Sequence, residues 1–124
     1  MTKSEIAQAF SHGLFEKCMD YLTDQTTWNT PGEQFLTGRK EIEPFCKNIA
    51  AYFSSVTTDF RQIHLIENER CVAINGTAEF FRKGKRISFV SSCDVYEFDS
   101  HNNIVSIISY CIKNDPKSTD TLTN

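Results

Sequence analysis

Most markers of a specialised protein class are missing from these 124 residues. There is no basic excess: 13 basic against 16 acidic side chains leave a net charge of −3, which argues against a nucleic-acid partner. No apolar run approaches the roughly 18 residues that span a bilayer. The opening Met1-Thr2-Lys3-Ser4-Glu5 lacks the apolar core of a secretory signal, so no membrane partner and a cytoplasmic location are expected. The five cysteines (Cys18, Cys46, Cys71, Cys93 and Cys111) never form a C-x-x-C pair, and their odd number argues against a disulfide framework. Most sit among apolar neighbours, where a free thiol acts as a small hydrophobe. His12, His64 and His101 have no ligand spacing, so no metal and no cofactor are expected.

What is present is ordinary globular material, 40% hydrophobic and 23% charged. A chain of this length buries roughly 65% of its unfolded surface and needs no staple. One domain over residues 1–113 is expected, followed by a polar, proline-containing segment, 114–124, read as a flexible tail.

The first third reads as helical. Thr2 and Glu5 have the spacing of a capping box, and Ile6, Phe10 and Leu14 recur one turn apart. Gly13 interrupts this stripe, and Phe15, Cys18, Met19 and Leu22 suggest a second short helix, or a continuation after a kink. Thr26 to Asn29 reads as a short extended piece before the turn at Pro31-Gly32. Ile42, Phe45, Cys46, Ile49, Ala50 and Phe53 mark a third helix. Thr37 is its candidate N-cap, but Pro44 would distort the early turns, so regular helix is expected nearer Glu43. From Val56 the period changes to two. Thr57–Glu67, Cys71–Lys83, Lys85–Phe98 and Asn103–Lys113 read as four strands joined by turns too short for parallel crossovers. Gly76 suggests a bulge. The fold class is therefore α+β: three N-terminal helices packed on a strongly curved antiparallel sheet.

A bent sheet wrapped over helices leaves a hollow lined by both, and pockets of this kind are largely apolar with a few placed polar groups. One face of Lys85–Phe98 carries Val90, Ser92, Asp94, Tyr96 and Phe98. Asp94 is the odd member. Among β-branched and aromatic neighbours it needs a hydrogen-bond partner, a water-filled cavity or a proton, unless that face is solvated. Burial raises a carboxyl's pKa, and a neutral acid can donate to a substrate oxygen. Tyr96 shares its face. His64 alternates with Gln62 and Ile66 and is a candidate to point inward as an acid–base partner. Trp28 suits a cavity wall, as a core plug or a stacking surface. Tyr21, Phe45 and Tyr52 are candidate wall residues on helices, where aromatic stripes usually mean core.

The order of elements, the segment Leu36-Thr37-Gly38-Arg39-Lys40-Glu41-Ile42 opening a helix, and Cys93-Asp94-Val95-Tyr96-Glu97-Phe98-Asp99 followed by Ile104-Val105-Ser106-Ile107 resemble the SnoaL-like branch of the NTF2-like superfamily over roughly residues 5–112. The resemblance implies a cone-shaped, cystatin-like α+β barrel with an interior pocket, often a homodimer through its sheet. Relatives include ketosteroid isomerase, polyketide cyclases, dehydratases, epoxide hydrolases and non-catalytic domains. Asp94 falls where the isomerase holds a protonated Asp. Asn29, ahead of Thr30-Pro31, stands where that enzyme has its general base, and an amide cannot take up the proton. Near Glu5 the isomerase has a Tyr, and Ser92 replaces the epoxide-hydrolase Arg, so neither mechanism carries over as it stands. The expectation is a cofactor-independent isomerase, cyclase or lyase acting on a small hydrophobic carbonyl compound. Asp94, Tyr96 and His64 are its candidate catalytic residues. Trp28, Asn29, Tyr21, Phe45, Tyr52 and Ser92 are its candidate ligand contacts. The alternative is a non-catalytic ligand-binding or dimeric assembly module.

Overall fold

A capping box starts the chain. Thr2 accepts from the Glu5 amide at 3.2 Å and Glu5 accepts from the Thr2 amide at 2.8 Å, fixing helix α1 at Lys3–Ser11. A computed structural model describes residues 1–114; the expected tail, apart from Asn114, lies outside the described residues. Ile6, Ala7 and Phe10 of α1 are buried, whereas Leu14, expected on the same stripe, is 50% exposed. Gly13, at φ +81°, has already turned the chain away.

Among the described residues two α-helices form, not three. The expected second helix is a pair of single 3-10 turns, Phe15–Lys17 and Met19–Tyr21. A segment this short gains little from helix propensity, so the placement of buried Phe15 and Cys18 decides its path. The threonine-rich stretch after it forms strand β1, Leu22–Thr30, which turns back through β2, Gln34–Thr37. Helix α2 runs Arg39–Ser54 and begins earlier than Pro44 suggested. The proline is exposed and removes one internal amide, but the helix is anchored elsewhere. Its N-cap is Gly38, not Thr37; Glu41 accepts from the Thr37 amide at 2.8 Å, and Arg39 donates to Glu43 at 2.8 Å.

Strands β3 (Thr57–Glu67), β4 (Cys71–Arg82), β5 (Lys85–Phe98) and β6 (Ile104–Lys113) form the expected antiparallel meander. The hairpin β1–β2 extends it into one six-stranded sheet in the order β2-β1-β6-β5-β4-β3, with β1 parallel to β6. The curved sheet is open, with β2 and β3 at its edges, rather than closed as a barrel. Both helices cover one face, and the core between them contains Ile6, Phe10, Ile42, Val72, Tyr96, Phe98 and Ile107.

The irregularity expected at Gly76 lies on the strand beside it. β3 and β4 pair in step up to Gln62↔Gly76 and resume at His64↔Asn75, so Ile63 is an extra residue on β3. Gly76 matters because of the close approach this produces: a Cβ there would collide with the Arg61 carbonyl oxygen. The extra residue also reverses which side chains of β3 face the helices. Phe60 points inward before it, and Leu65, not His64, packs on the core after it.

Candidate functional site

Between the helices and the sheet lies a cleft of about 410 Å³. The inward faces of three strands supply one wall: Trp28 and Thr30 from β1, Ser88, Val90, Ser92 and Asp94 from β5, and Ser109 from β6. Helix α2 supplies Phe45, Ile49, Tyr52 and Phe53, and the end of α1 supplies Phe10 and Ser11. Phe10 packs edge-on against Trp28 with centroids 5.0 Å apart, and Trp28 packs edge-on against Phe45 at 5.4 Å. Phe60 of β3 and Ala78 and Phe80 of β4 extend the wall, and Gly13, Phe15, Glu33, Gln34, Cys111 and Lys113 complete the lining.

Asp94 sits where this apolar surface gives way to hydroxyls. Ser11 Oγ donates to Asp94 Oδ2 at 2.8 Å and lies 2.6 Å from the Tyr96 hydroxyl. Ser109, paired with Asp94 across β5 and β6, is the carboxyl's second hydrogen-bond partner and accepts from Trp28 Nε1 at 2.9 Å. An ionised Asp94 can only accept. The protons of Ser11 and Ser109 then point to it, Tyr96 donates to Ser11, and Trp28 donates to Ser109. Two relays thus end on one carboxyl.

The electrostatics follow from this placement. Burial raises the pKa of Asp94, against the lowering effects of hydrogen bonds from Ser11 and Ser109 and of the nearby His12. Tyr96 is fully buried; that burial, and then the neighbouring carboxyl, push its phenol well above the ordinary tyrosine value. Tyr96 is therefore a neutral donor at physiological pH. Among the described residues no group of three or more His, Cys, Asp and Glu is placed to hold a metal ion.

Of the candidates from sequence, Asp94, Ser92, Trp28, Phe45 and Tyr52 line the cleft, and Tyr96 reaches it through Ser11. Three do not line it. His64 is exposed and bonds Asn75 at 3.0 Å, because the extra residue at Ile63 turns it outward. Asn29 follows Trp28 in a strand, so it points to the opposite face. Tyr21 belongs to a 3-10 turn, where its hydroxyl accepts from the chain's first ammonium at 3.4 Å. Sequence reasoning missed Ser11, His12 and Ser109. Ser109 was the most legible, since it alternates with buried Ile107 on β6.

A family profile described as SnoaL-like domain matches residues 4–107. No curated protein matches the chain in sequence. An NTF2-like protein of unknown function from Cytophaga hutchinsonii is 33% identical over 88% of this chain and 95% of its own, with a TM-score of 0.78. Two more distant structures share the fold. An LEH-like epoxide hydrolase of M. tuberculosis is 16% identical over 87% of this chain and 80% of its own, at TM-score 0.63. SalBIII, an epoxide hydrolase/cyclase-like enzyme of pyran ring formation in salinomycin, is 17% identical over 89% and 90%, at TM-score 0.67.

Proposed function

The chain belongs to the SnoaL-like domain family, with the NTF2-like α+β fold, and on that premise we propose that its cleft binds a small, largely hydrophobic carbonyl compound whose proton transfers are carried out by Asp94 without a cofactor. The observation that carries the reading is the position of Asp94. It is a carboxyl with a raised pKa, set in the wall of an apolar cleft and solvated on the protein side by two hydroxyls.

In this reading, Phe45, Tyr52 and Trp28 hold the hydrocarbon part of the ligand and exclude water. In a β,γ-unsaturated carbonyl compound, Asp94 as carboxylate removes a proton from the α carbon, and as neutral acid returns it to the γ carbon while the double bond moves into conjugation, which amounts to isomerisation. Ser11 and Ser109 stabilise the carboxylate before the first step and after the second. Tyr96 fixes the orientation of the Ser11 hydroxyl without touching the ligand, and the Trp28 indole N–H fixes that of Ser109. The Ser92 hydroxyl, on the same strand face, is available to the ligand's oxygen.

The test is exchange of α-protons of cyclic ketones in deuterated water, followed by NMR. The native protein should accelerate exchange, and Asp94→Asn should lose at least about 100-fold of that acceleration. Binding without exchange in either protein would refute the catalytic reading. It would favour a second reading, a non-catalytic ligand-binding domain. That reading draws support from the site itself: among the described residues the direct hydrogen-bond partners of Asp94 are serines, and no second titratable group bonds it.

The outward face of the sheet supports a further part of the proposal, pairing with a second copy. Ile66, Tyr110 and Ile112 on that side of the molecule are 69%, 50% and 71% exposed. Light scattering should give a dimer, and Ile112→Glu a monomer; a native monomer would refute the pairing.

A further inference from the structure

Asp94 faces two cavities. Next to the cleft, and sharing Ser11, Ser92 and Asp94 with it, lies a slot of about 50 Å³ whose lining also includes His12, Gln62 and Gly76. We propose that this slot holds ordered water joining the Asp94 carboxyl to His12, and that His12 is the group through which Asp94 exchanges its proton with solvent while a ligand fills the cleft. The proposal rests on the reading of Asp94 as the proton-transferring group.

The slot follows from the irregular pairing of β3 and β4. The extra residue at Ile63 and the missing side chain at Gly76 open a space where a regular sheet would be filled. Its volume suits one or two molecules, since water occupies about 30 Å³ in the liquid and needs two to four polar partners. Those partners are present on α1, β3, β4 and β5. The His12 ring is stacked on Phe60 with centroids 5.9 Å apart and planes at 29°, which holds it in place over the slot. His12 is also close enough to favour the charged form of Asp94. The other charged group on the slot is Arg61 of β3, which is paired with Asp59 at 3.2 Å. The remaining polar side chains from α1, β3, β4 and β5 are neutral.

A route of this kind answers a physical need. A hydrophobic ligand in the cleft expels water from that side of Asp94, and the carboxyl then has no solvent contact there for gaining or losing a proton. Through the slot, the protonated carboxyl passes its proton to the water oxygen as the same water passes one of its own to a His12 ring nitrogen. The products are carboxylate, water and imidazolium, so charge and atoms balance. The half-buried imidazolium then releases the proton to bulk solvent, and the reverse sequence reloads Asp94.

The experiment is a pH titration of protein carrying carbon-13 at aspartate carboxyls and nitrogen-15 at histidine rings, with the cleft saturated by cyclohexanone. The Asp94 signal should show a second inflection at the pH where the His12 ring titrates. Water-selective NOEs should reach the Gly76 α protons. His12→Gln should abolish the second inflection and move the Asp94 midpoint upward, while His12→Phe, which keeps the stacking on Phe60, should do the same. A single Asp94 inflection indifferent to His12, or no water NOE at Gly76, would overturn the proposal. The native titration decides the matter even if a variant fails to fold. Coupled titration and water NOEs in a protein that exchanges no ketone α-protons would support the slot while refuting the catalytic reading.

Discussion

Replacing Ser109 with alanine removes one oxygen and breaks two hydrogen bonds. The side chain is 6% exposed, accepts from Trp28 Nε1 at 2.9 Å and bonds the Asp94 carboxyl. Leaving the indole N–H without a partner costs about 1–3 kcal/mol, and losing a bond to a charged acceptor costs about 1.5–3 kcal/mol. The cleft gives water some access to both groups, so the two costs do not add in full. The expected loss is about 2–4 kcal/mol, read as a shift in urea midpoint with unchanged m value. The loss should also depend on pH. Ser109 lowers the Asp94 pKa, so its removal raises a value that burial has already raised. The variant's native state then holds its proton to higher pH than the wild type's. Its stability falls further as pH rises, and the difference between the two proteins should widen from the midpoint of wild-type Asp94 up to that of the variant. A loss under about 0.5 kcal/mol, or one that narrows with rising pH, would refute the hydrogen-bond scheme drawn around Asp94.

The same linkage applies to Asp94→Asn. A raised folded pKa means the native state binds more protons than the unfolded chain, so wild-type stability should fall as pH rises from the ordinary aspartate range through the Asp94 midpoint. The asparagine variant should lack that fall in urea titrations at pH 4 and pH 8. Gly76→Ala should be destabilised by about 2 kcal/mol or more in the same assay, because its methyl would collide with the Arg61 carbonyl. Thiol labelling at pH 8 should modify exposed Cys111 well before Cys18 and Cys46 in the native protein. Burial pushes those two thiols up to about 11 and about 12.

Local signals in the sequence carried the meander and the acid. Period-two alternation placed β3 and β5 with their observed bounds and grouped Val90, Ser92, Asp94, Tyr96 and Phe98 on one face of β5, but alternation alone does not say which face lines the cleft; the structure turns this one inward. What was not legible depends on events outside any single strand. Alternation makes His64 a candidate to point inward, but the extra residue at Ile63 arises from pairing with β4 and reverses the faces beyond it. The hairpin β1–β2 is short, and β1 is completed by a parallel pairing with β6 about 80 residues away, so the stretch around Trp28 read as a fragment. Asn29 was assigned from a family position, yet alternation within β1 gives the inward places to Trp28 and Thr30. Ser11 and Ser109 drew no notice because serine is common on surfaces. Their role exists only once α1 and β6 meet at Asp94.

Carbon-13 titration of the Asp94 carboxyl in the ligand-free protein tests the account most directly. The account predicts a midpoint above that of an ordinary aspartate, moving higher still in Ser11→Ala and Ser109→Ala. A midpoint at or below the ordinary value, unmoved by either serine, would contradict it.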